Sequence, residues 1–184
     1  MRWSVGGVPG AASAEYEGVW RSCLIAYKER RAHRLSRPLG AALAWATAGL
    51  LPGRGPVVLL PVPSASATVR ERGEDVTWRL AQEASVWLRR AGVDARASRG
   101  LRHSRAVGDQ SHLDALERER NLAGGMVAAA GTIPVIVVDD ITTTGATLRE
   151  AVRAVQATGR PLWGAAVVAA TRRRDGTSRR VGEA

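Results

Sequence analysis

Short runs of branched apolar residues alternate along the chain with longer segments in which apolar residues recur every three to four positions. The runs 57–60 and 135–138 have the pattern of strands that are buried on both faces, as in a parallel sheet. Helical spacing and weaker apolar runs predict further elements: helices at about 15–35, 36–50, 76–91 and 148–158, and strands at 93–97 and 162–170. This alternation predicts an α/β fold with helices on both faces of a mostly parallel sheet.

Three segments depart from this alternation. Residues 1–14 are small and glycine-rich, and residues 172–184 are arginine-rich, so we expect loose tails on one domain that spans 1–184. The segment 99–125 is crowded with polar and charged residues and has few core candidates. A polar segment of this length in a compact domain is typical of a functional loop, such as a lid over reacting phosphates.

Composition narrows the classes of function only slightly. The chain has 27 basic and 17 acidic residues and a net charge of +10, which favours anionic ligands and leaves nucleic acid open as a partner. Cys23 is the single cysteine, which excludes an intrachain disulfide and a cysteine-based zinc site. The longest apolar stretch, 40–51, is too short to cross a bilayer, so we expect a cytoplasmic protein without a membrane span.

Two acids, Asp139 and Asp140, come directly after the second buried run, and a Thr/Gly loop and a helix follow them. In open α/β sheets, ligands bind at the carboxyl ends of strands, and a helix N-terminus presents unpaired N–H groups to phosphate. The acids suit vicinal hydroxyls or Mg²⁺. Gly145 lets a ligand approach the backbone, and hydroxyl donors come from Thr142, Thr143, Thr144 and Thr147. These residue types predict a phosphorylated sugar as ligand, and the alternative is an ordinary Thr/Gly turn.

The stretch 135–147 resembles the 5-phosphoribosyl-1-pyrophosphate (PRPP) motif of the type I phosphoribosyltransferases. The resemblance implies their fold, with a mostly parallel twisted sheet flanked by helices, an N-terminal helical segment and a flexible polar loop. It implies that 143–147, including Ala146, hold the 5′-phosphate of PRPP or ribose 5-phosphate. It also implies that Asp139 and Asp140 are catalytic, hold the ribose hydroxyls and bind Mg²⁺ through the substrate.

From about Tyr16 to Thr171, the chain resembles the ComF family of phosphoribosyltransferase-like proteins, which is associated with DNA uptake in competent bacteria. The matching residues are Tyr27-Lys28, Pro61-Val62-Pro63, Arg72-Gly73, 105–110, Leu113, Arg118, Asn121 and the PRPP motif. Apart from that match, the run 28–31 has the pattern of a solvated charged face. The resemblance implies a pyrophosphate and flexible-loop set made of Pro63, Ser64, Arg70, Arg72, Gly73, Arg102, Arg105 and Gln110.

Two departures from the ComF pattern matter. The cysteine-rich, zinc-finger-like module is missing, because Cys23 stands alone. Glu74-Asp75 replace an aromatic residue and an asparagine, and we expect two acids there to weaken pyrophosphate contacts.

The sequence therefore leaves two functions open. The first is a phosphoribosyltransferase that acts on Mg²⁺-PRPP and a nitrogenous acceptor and releases pyrophosphate. The second is a non-catalytic competence, DNA-uptake or regulatory factor that keeps the PRPP pocket as a sensor. The acceptor is open, as is a homodimer. A Rossmann-type nucleotide enzyme is disfavoured, because no glycine-rich turn follows the first predicted strand.

Overall fold

The computed structural model describes residues 1–64, 74–104 and 124–171 of the chain. Its strands are β1 (Arg2–Val5), β2 (Val8–Glu15), β3 (Val57–Pro61), β4 (Ala95–Ala97), β5 (Leu101–His103), β6 (Met126–Ala128), β7 (Val135–Thr142) and β8 (Leu162–Ala170). Its α-helices are α1 (Gly18–Glu29), α2 (Ser36–Ala48), α3 (Val76–Arg90) and α4 (Ala146–Gln156), with a 3₁₀ turn at His33–Leu35. None of these helices is long and apolar enough to cross a bilayer.

Six strands form one mixed sheet in the order β1-β2-β8-β7-β3-β4. The β1/β2 pair is antiparallel, and every other neighbouring pair is parallel. This confirms the predicted α/β class with a mostly parallel sheet and flanking helices. The remaining strands, β5 and β6, form a separate antiparallel pair.

The apolar run of β7 explains why helices cover both faces of the sheet. Its residues alternate between two cores, because successive side chains of a strand point to opposite faces. Ile136 and Val138 pack in the core with α1, α2 and α3, whereas Val135 and Val137 pack in the core with α4. All four side chains are completely buried.

The prediction of a loose tail at 1–14 is wrong, because this segment forms β1 and β2. Gly6 and Gly7 both adopt positive φ, which allows a two-residue turn between the paired Val5 and Val8. The strand β2 is rich in alanine, so it lacks the branched apolar residues that mark a strand in a sequence. The tail predicted at 172–184 lies outside the described residues.

The polar segment 99–125 contains β5 and ends directly before β6, and the sequence pattern predicts neither strand. Residues 105–123, on which the flexible-loop prediction depends, lie outside the described residues. The β5/β6 pair is attached to α4 by a polar clamp. The Glu150 carboxylate accepts the Met126 N–H at 3.0 Å and the Arg153 guanidinium at 2.7 Å, and Arg153 also donates to the Met126 carbonyl.

We predict that Glu150→Gln loosens this clamp. Burial raises the pKa of Glu150, but the hydrogen bonds from Arg153 and Met126 outweigh it, so the net shift is downward. A lowered pKa means that the carboxylate stabilises the fold above its unfolded pKa and that this stabilisation disappears as the pH falls through the folded value. The variant should lose about 1–2 kcal/mol of unfolding free energy at neutral pH, since the half-exposed Arg153 is screened by solvent.

Urea denaturation at several pH values measures this effect. The difference from the native protein should shrink below about pH 4. The control is Glu29→Gln, the same change at an exposed position of α1. A variant as stable as the native protein at neutral pH would show that the clamp contributes nothing.

Candidate functional site

The end of β7 projects beyond one of its neighbours. The pairing of β3 with β7 ends at Val138, whereas the pairing of β8 continues to Thr142. Asp139 and Asp140 are therefore flanked by a strand on the β8 side and by open space on the β3 side. The main chain after β3 borders that space, beginning at Val62, whose N–H donates to the Val138 carbonyl.

A cavity of about 430 Å³ occupies this space at the carboxyl edge of the sheet. Six residues that the sequence singled out line it together: Pro63, Ser64, Asp139, Asp140, Thr143 and Thr147. Six more lining residues were not among the site residues predicted from the sequence: Tyr16, Lys28, Val62, Val76, Thr77 and Ile141. Elements distant in the chain thus meet around the two acids.

Both acids are buried, and each has one oxygen occupied by the backbone. Asp139 Oδ1 accepts the Asp140 N–H at 2.8 Å, and Asp140 Oδ1 accepts the Ile141 N–H at 2.8 Å. Burial raises the pKa of Asp139 well above its usual range, and the adjacent charge of Asp140 raises it further. The hydrogen bond from the Asp140 N–H and the charge of Lys28 act in the opposite direction. Any cation that enters the cavity would also favour the ionised form.

Lys28 belongs to this site, so its interpretation as part of a solvated face is wrong. Its Nζ lies 2.7 Å from Asp140 Oδ2. The neighbouring Tyr27 is buried in the core and donates its hydroxyl to the Val76 carbonyl at 3.1 Å, which holds the end of α1 against the start of α3. The one sequence signal for this position is the Tyr27-Lys28 match to the ComF pattern.

The Thr/Gly loop lies between the first cavity and a second one of about 310 Å³. Gly145 has a φ of +76° and precedes α4, a left-handed conformation that favours glycine. Thr144 Oγ1 accepts the Ala146 N–H at 3.3 Å, and Arg149 donates to the Thr144 carbonyl. Thr143 lines both cavities, whereas Thr142, Thr144 and Gly145 line only the second, whose far wall is formed by 1–6.

The predicted pyrophosphate and flexible-loop set is only partly described. Pro63 and Ser64 line the first cavity, but Arg70, Arg72, Gly73, Arg105 and Gln110 lie outside the described residues. Arg102 is exposed on β5 and lines neither cavity, so the structure does not bring it to the site. The reason is strand alternation, because the adjacent Leu101 points into the core.

The carboxylates of Glu74 and Asp75 contact neighbouring segments, and the segment 65–73, whose pyrophosphate contacts they are expected to weaken, lies outside the described residues. Asp75 caps α3 by accepting the Trp78 N–H at 3.1 Å, and it also accepts the Ser64 hydroxyl. Glu74 contacts Nδ1 of His33 at 2.6 Å and pairs with Arg79 at 3.0 Å. Both acids hold neighbouring segments together and are absent from the lining of the cavity.

The donor set fits a cation that is shared with a substrate rather than one held by protein alone. Within the described ranges, no group of three or more His, Cys, Asp or Glu side chains is placed to hold a metal. Mg²⁺ is commonly bound by one or two carboxylates together with substrate phosphates and water. Asp139 and Asp140 supply two such carboxylates beside a loop that presents hydroxyls.

Comparisons with known proteins add little. No protein-family model matches the chain, and no curated protein matches it significantly. Among solved structures, the crystal structure of TT1426 from Thermus thermophilus is similar, with 21% sequence identity and a TM-score of 0.40. The match covers 77% of this chain and 86% of that chain. A TM-score this low does not establish a shared fold.

We predict that Asp139→Asn stabilises the protein. A pKa that is higher in the folded than in the unfolded chain makes the free energy of unfolding fall as the pH rises between the two values. Asparagine removes this loss, and its amide oxygen can still accept the Asp140 N–H. Urea denaturation at pH 4 to 8 should therefore show a gain that grows with pH, whereas Asp94→Asn, at an exposed position, should show none. A constant or negative difference would contradict the buried-charge argument.

Proposed function

We propose that this chain is a protein of the type I phosphoribosyltransferase fold that binds PRPP, or a similar phosphorylated ribose, together with Mg²⁺. The observation that carries the proposal is one cavity of about 430 Å³ that contains Asp139, Asp140, Thr143 and Thr147. Its volume is within the range of roughly 300–1,000 Å³ that is typical of small-molecule sites. Two acids and two threonines of the stretch that resembles the PRPP motif therefore share one ligand-sized space, whereas Thr142, Thr144 and Gly145 line the second cavity.

The strand order suggests how such a ligand would lie. The cavity extends from Tyr16, after β2, across the end of β7 to Ser64, after β3. The loop 143–147 would receive the 5′-phosphate, because Gly145 opens the backbone and the N-terminus of α4 favours an anion. The ribose hydroxyls would face the two acids, and the pyrophosphate would lie on the β3 side.

In a transfer reaction, a nitrogenous acceptor forms a bond to the anomeric carbon while the bond from that carbon to pyrophosphate breaks. Positive charge develops on the ribose ring as the leaving group departs. Asp139 and Asp140, in a largely desolvated position, would stabilise that charge electrostatically and orient the ring. Mg²⁺, when bound with the substrate, would neutralise part of the charge on the pyrophosphate.

The second candidate is a ComF-type regulatory or DNA-uptake factor that uses the same pocket as a sensor. The observation that favours it is the Lys28–Asp140 pair, because an acid that is already neutralised supplies less negative charge to a transition state. The net charge of +10 is compatible with a nucleic-acid partner. Both candidates require the pocket, but only the transferase would turn the ligand over.

Calorimetric titration with PRPP and with ribose 5-phosphate, each with and without Mg²⁺, tests the pocket. We expect Mg²⁺-dependent binding of PRPP and weaker binding of ribose 5-phosphate, which lacks the pyrophosphate. Release of pyrophosphate with a panel of nitrogenous bases then separates the transferase from the sensor. Binding of neither ligand by folded protein would overturn the proposal.

We predict that the Asp139→Asn/Asp140→Asn double variant weakens PRPP binding in Mg²⁺ by roughly 100-fold or more, since two charge-assisted contacts are lost. Unfolding does not explain such a loss if Asp139→Asn stabilises the chain, and circular dichroism would verify the fold. The matched control is again Asp94→Asn, which should bind PRPP like the native protein. Unchanged affinity in the folded double variant would remove the acids from the site.

A further inference from the structure

The ion pair between Lys28 and Asp140 is buried on the acid side. The Asp140 side chain is only 4% exposed and that of Lys28 is 29% exposed, so solvent screens this pair less than a surface pair. Among the described residues that line the cavity, Lys28 is the one basic side chain. It is therefore the principal counter-charge that the described part of the chain supplies to the two acids.

Lys28 is held over the acids by contacts that do not involve them. It lies in the last turn of α1, and the adjacent Tyr27 anchors that turn through its buried hydroxyl on the Val76 carbonyl. A second contact, between His33 and Glu74, fixes the segment that follows α1 to the start of α3. The Lys28 ammonium therefore comes from α1, a helix that lies outside the sheet, and it occupies a fixed place at the end of β7.

The oxygen that Lys28 contacts is the one a cation would need. Asp140 Oδ1 is already used by the Ile141 N–H, whereas Oδ2 faces the ammonium at 2.7 Å. A divalent cation that approached Asp140 would have to displace Lys28 or share the oxygen with it. Two positive charges on one carboxylate oxygen repel each other, so each weakens the binding of the other.

We propose that Lys28 is a positioning residue that keeps the acid pair from binding a divalent cation alone and admits the cation only together with an anionic ligand. The first part of this proposal, that Lys28 opposes the binding of a cation by the acids alone, concerns only this chain and metal ions. The second part rests on the proposed function, because a phosphorylated ligand would give the Lys28 ammonium new partners and release Asp140. Lys28 thus couples cation binding to ligand binding in the same cavity.

The first experiment uses Mn²⁺ alone, followed by the electron paramagnetic resonance signal of the free ion. The native protein should bind it weakly, and Lys28→Met should bind it roughly tenfold or more tightly. Lys28→Arg, which keeps the charge, should stay weak. The triple change Lys28→Met/Asp139→Asn/Asp140→Asn should lose the gain. Equal Mn²⁺ affinity of native protein and folded Lys28→Met would overturn the inference, and Lys28→Gln serves as a second neutral variant if Lys28→Met does not fold.

The second experiment measures PRPP affinity by calorimetry with and without Mg²⁺. In Lys28→Met the acids already bind the cation without PRPP, so by reciprocity Mg²⁺ should enhance PRPP binding less, and the ratio of the affinities with and without Mg²⁺ should fall below that of the native protein by roughly tenfold. An unchanged ratio, with PRPP still bound, would overturn the coupling. If the native protein binds no PRPP at all but Lys28→Met gains Mn²⁺ affinity, the proposed function fails while the competition between Lys28 and the cation stands.

Discussion

Two adjacent carboxylates at the buried end of β7 require polar partners, and the surrounding elements are arranged to supply them. Removing a charged group from water costs several kcal/mol per ion even after relaxation, so acids in this position require partners. The backbone supplies two N–H groups to them, one from Asp140 itself and one from Ile141. The remaining counter-charge comes from Lys28, which belongs to a helix packed outside the sheet. The position of α1 therefore matters for the two carboxylates at the end of β7, because Lys28 of α1 pairs with one of them.

That placement depends on three consecutive residues at the start of α3. Glu74 contacts His33, Asp75 caps the helix and accepts the Ser64 hydroxyl, and the Val76 carbonyl accepts the Tyr27 hydroxyl. Each contact leads to a different segment, and all of these segments border or support the cavity. The two acids that depart from the ComF pattern therefore hold neighbouring segments together, and one of their partners, Ser64, also lines the cavity.

The sequence predicted the elements whose signals are local. The runs of branched apolar residues became β3 and β7, and the helical stripes became α2, α3 and α4 with boundaries close to those expected. The strands β1 and β2 were missed because alanine and glycine fit a sheet only where neighbours pack closely, and this information is not local. Lys28 was missed for a related reason, since a lysine beside other charged residues is usually solvated. Only tertiary packing, through Tyr27, places its ammonium over Asp140.

Charge acts on this protein at two scales with different consequences. The net charge of +10 attracts anions and nucleic acid at long range, but salt screens that field beyond about 8 Å at physiological ionic strength. Inside the cavity the described acidic and basic side chains are two aspartates and one lysine, so the local balance is acidic and unlike that of the whole chain. A phosphorylated ligand attracted by the global charge would therefore meet carboxylates at the strand end. Under the proposed function, its 5′-phosphate would lie at the loop before α4 and its pyrophosphate on the β3 side, so that its hydroxyls, rather than its phosphates, would meet the acids.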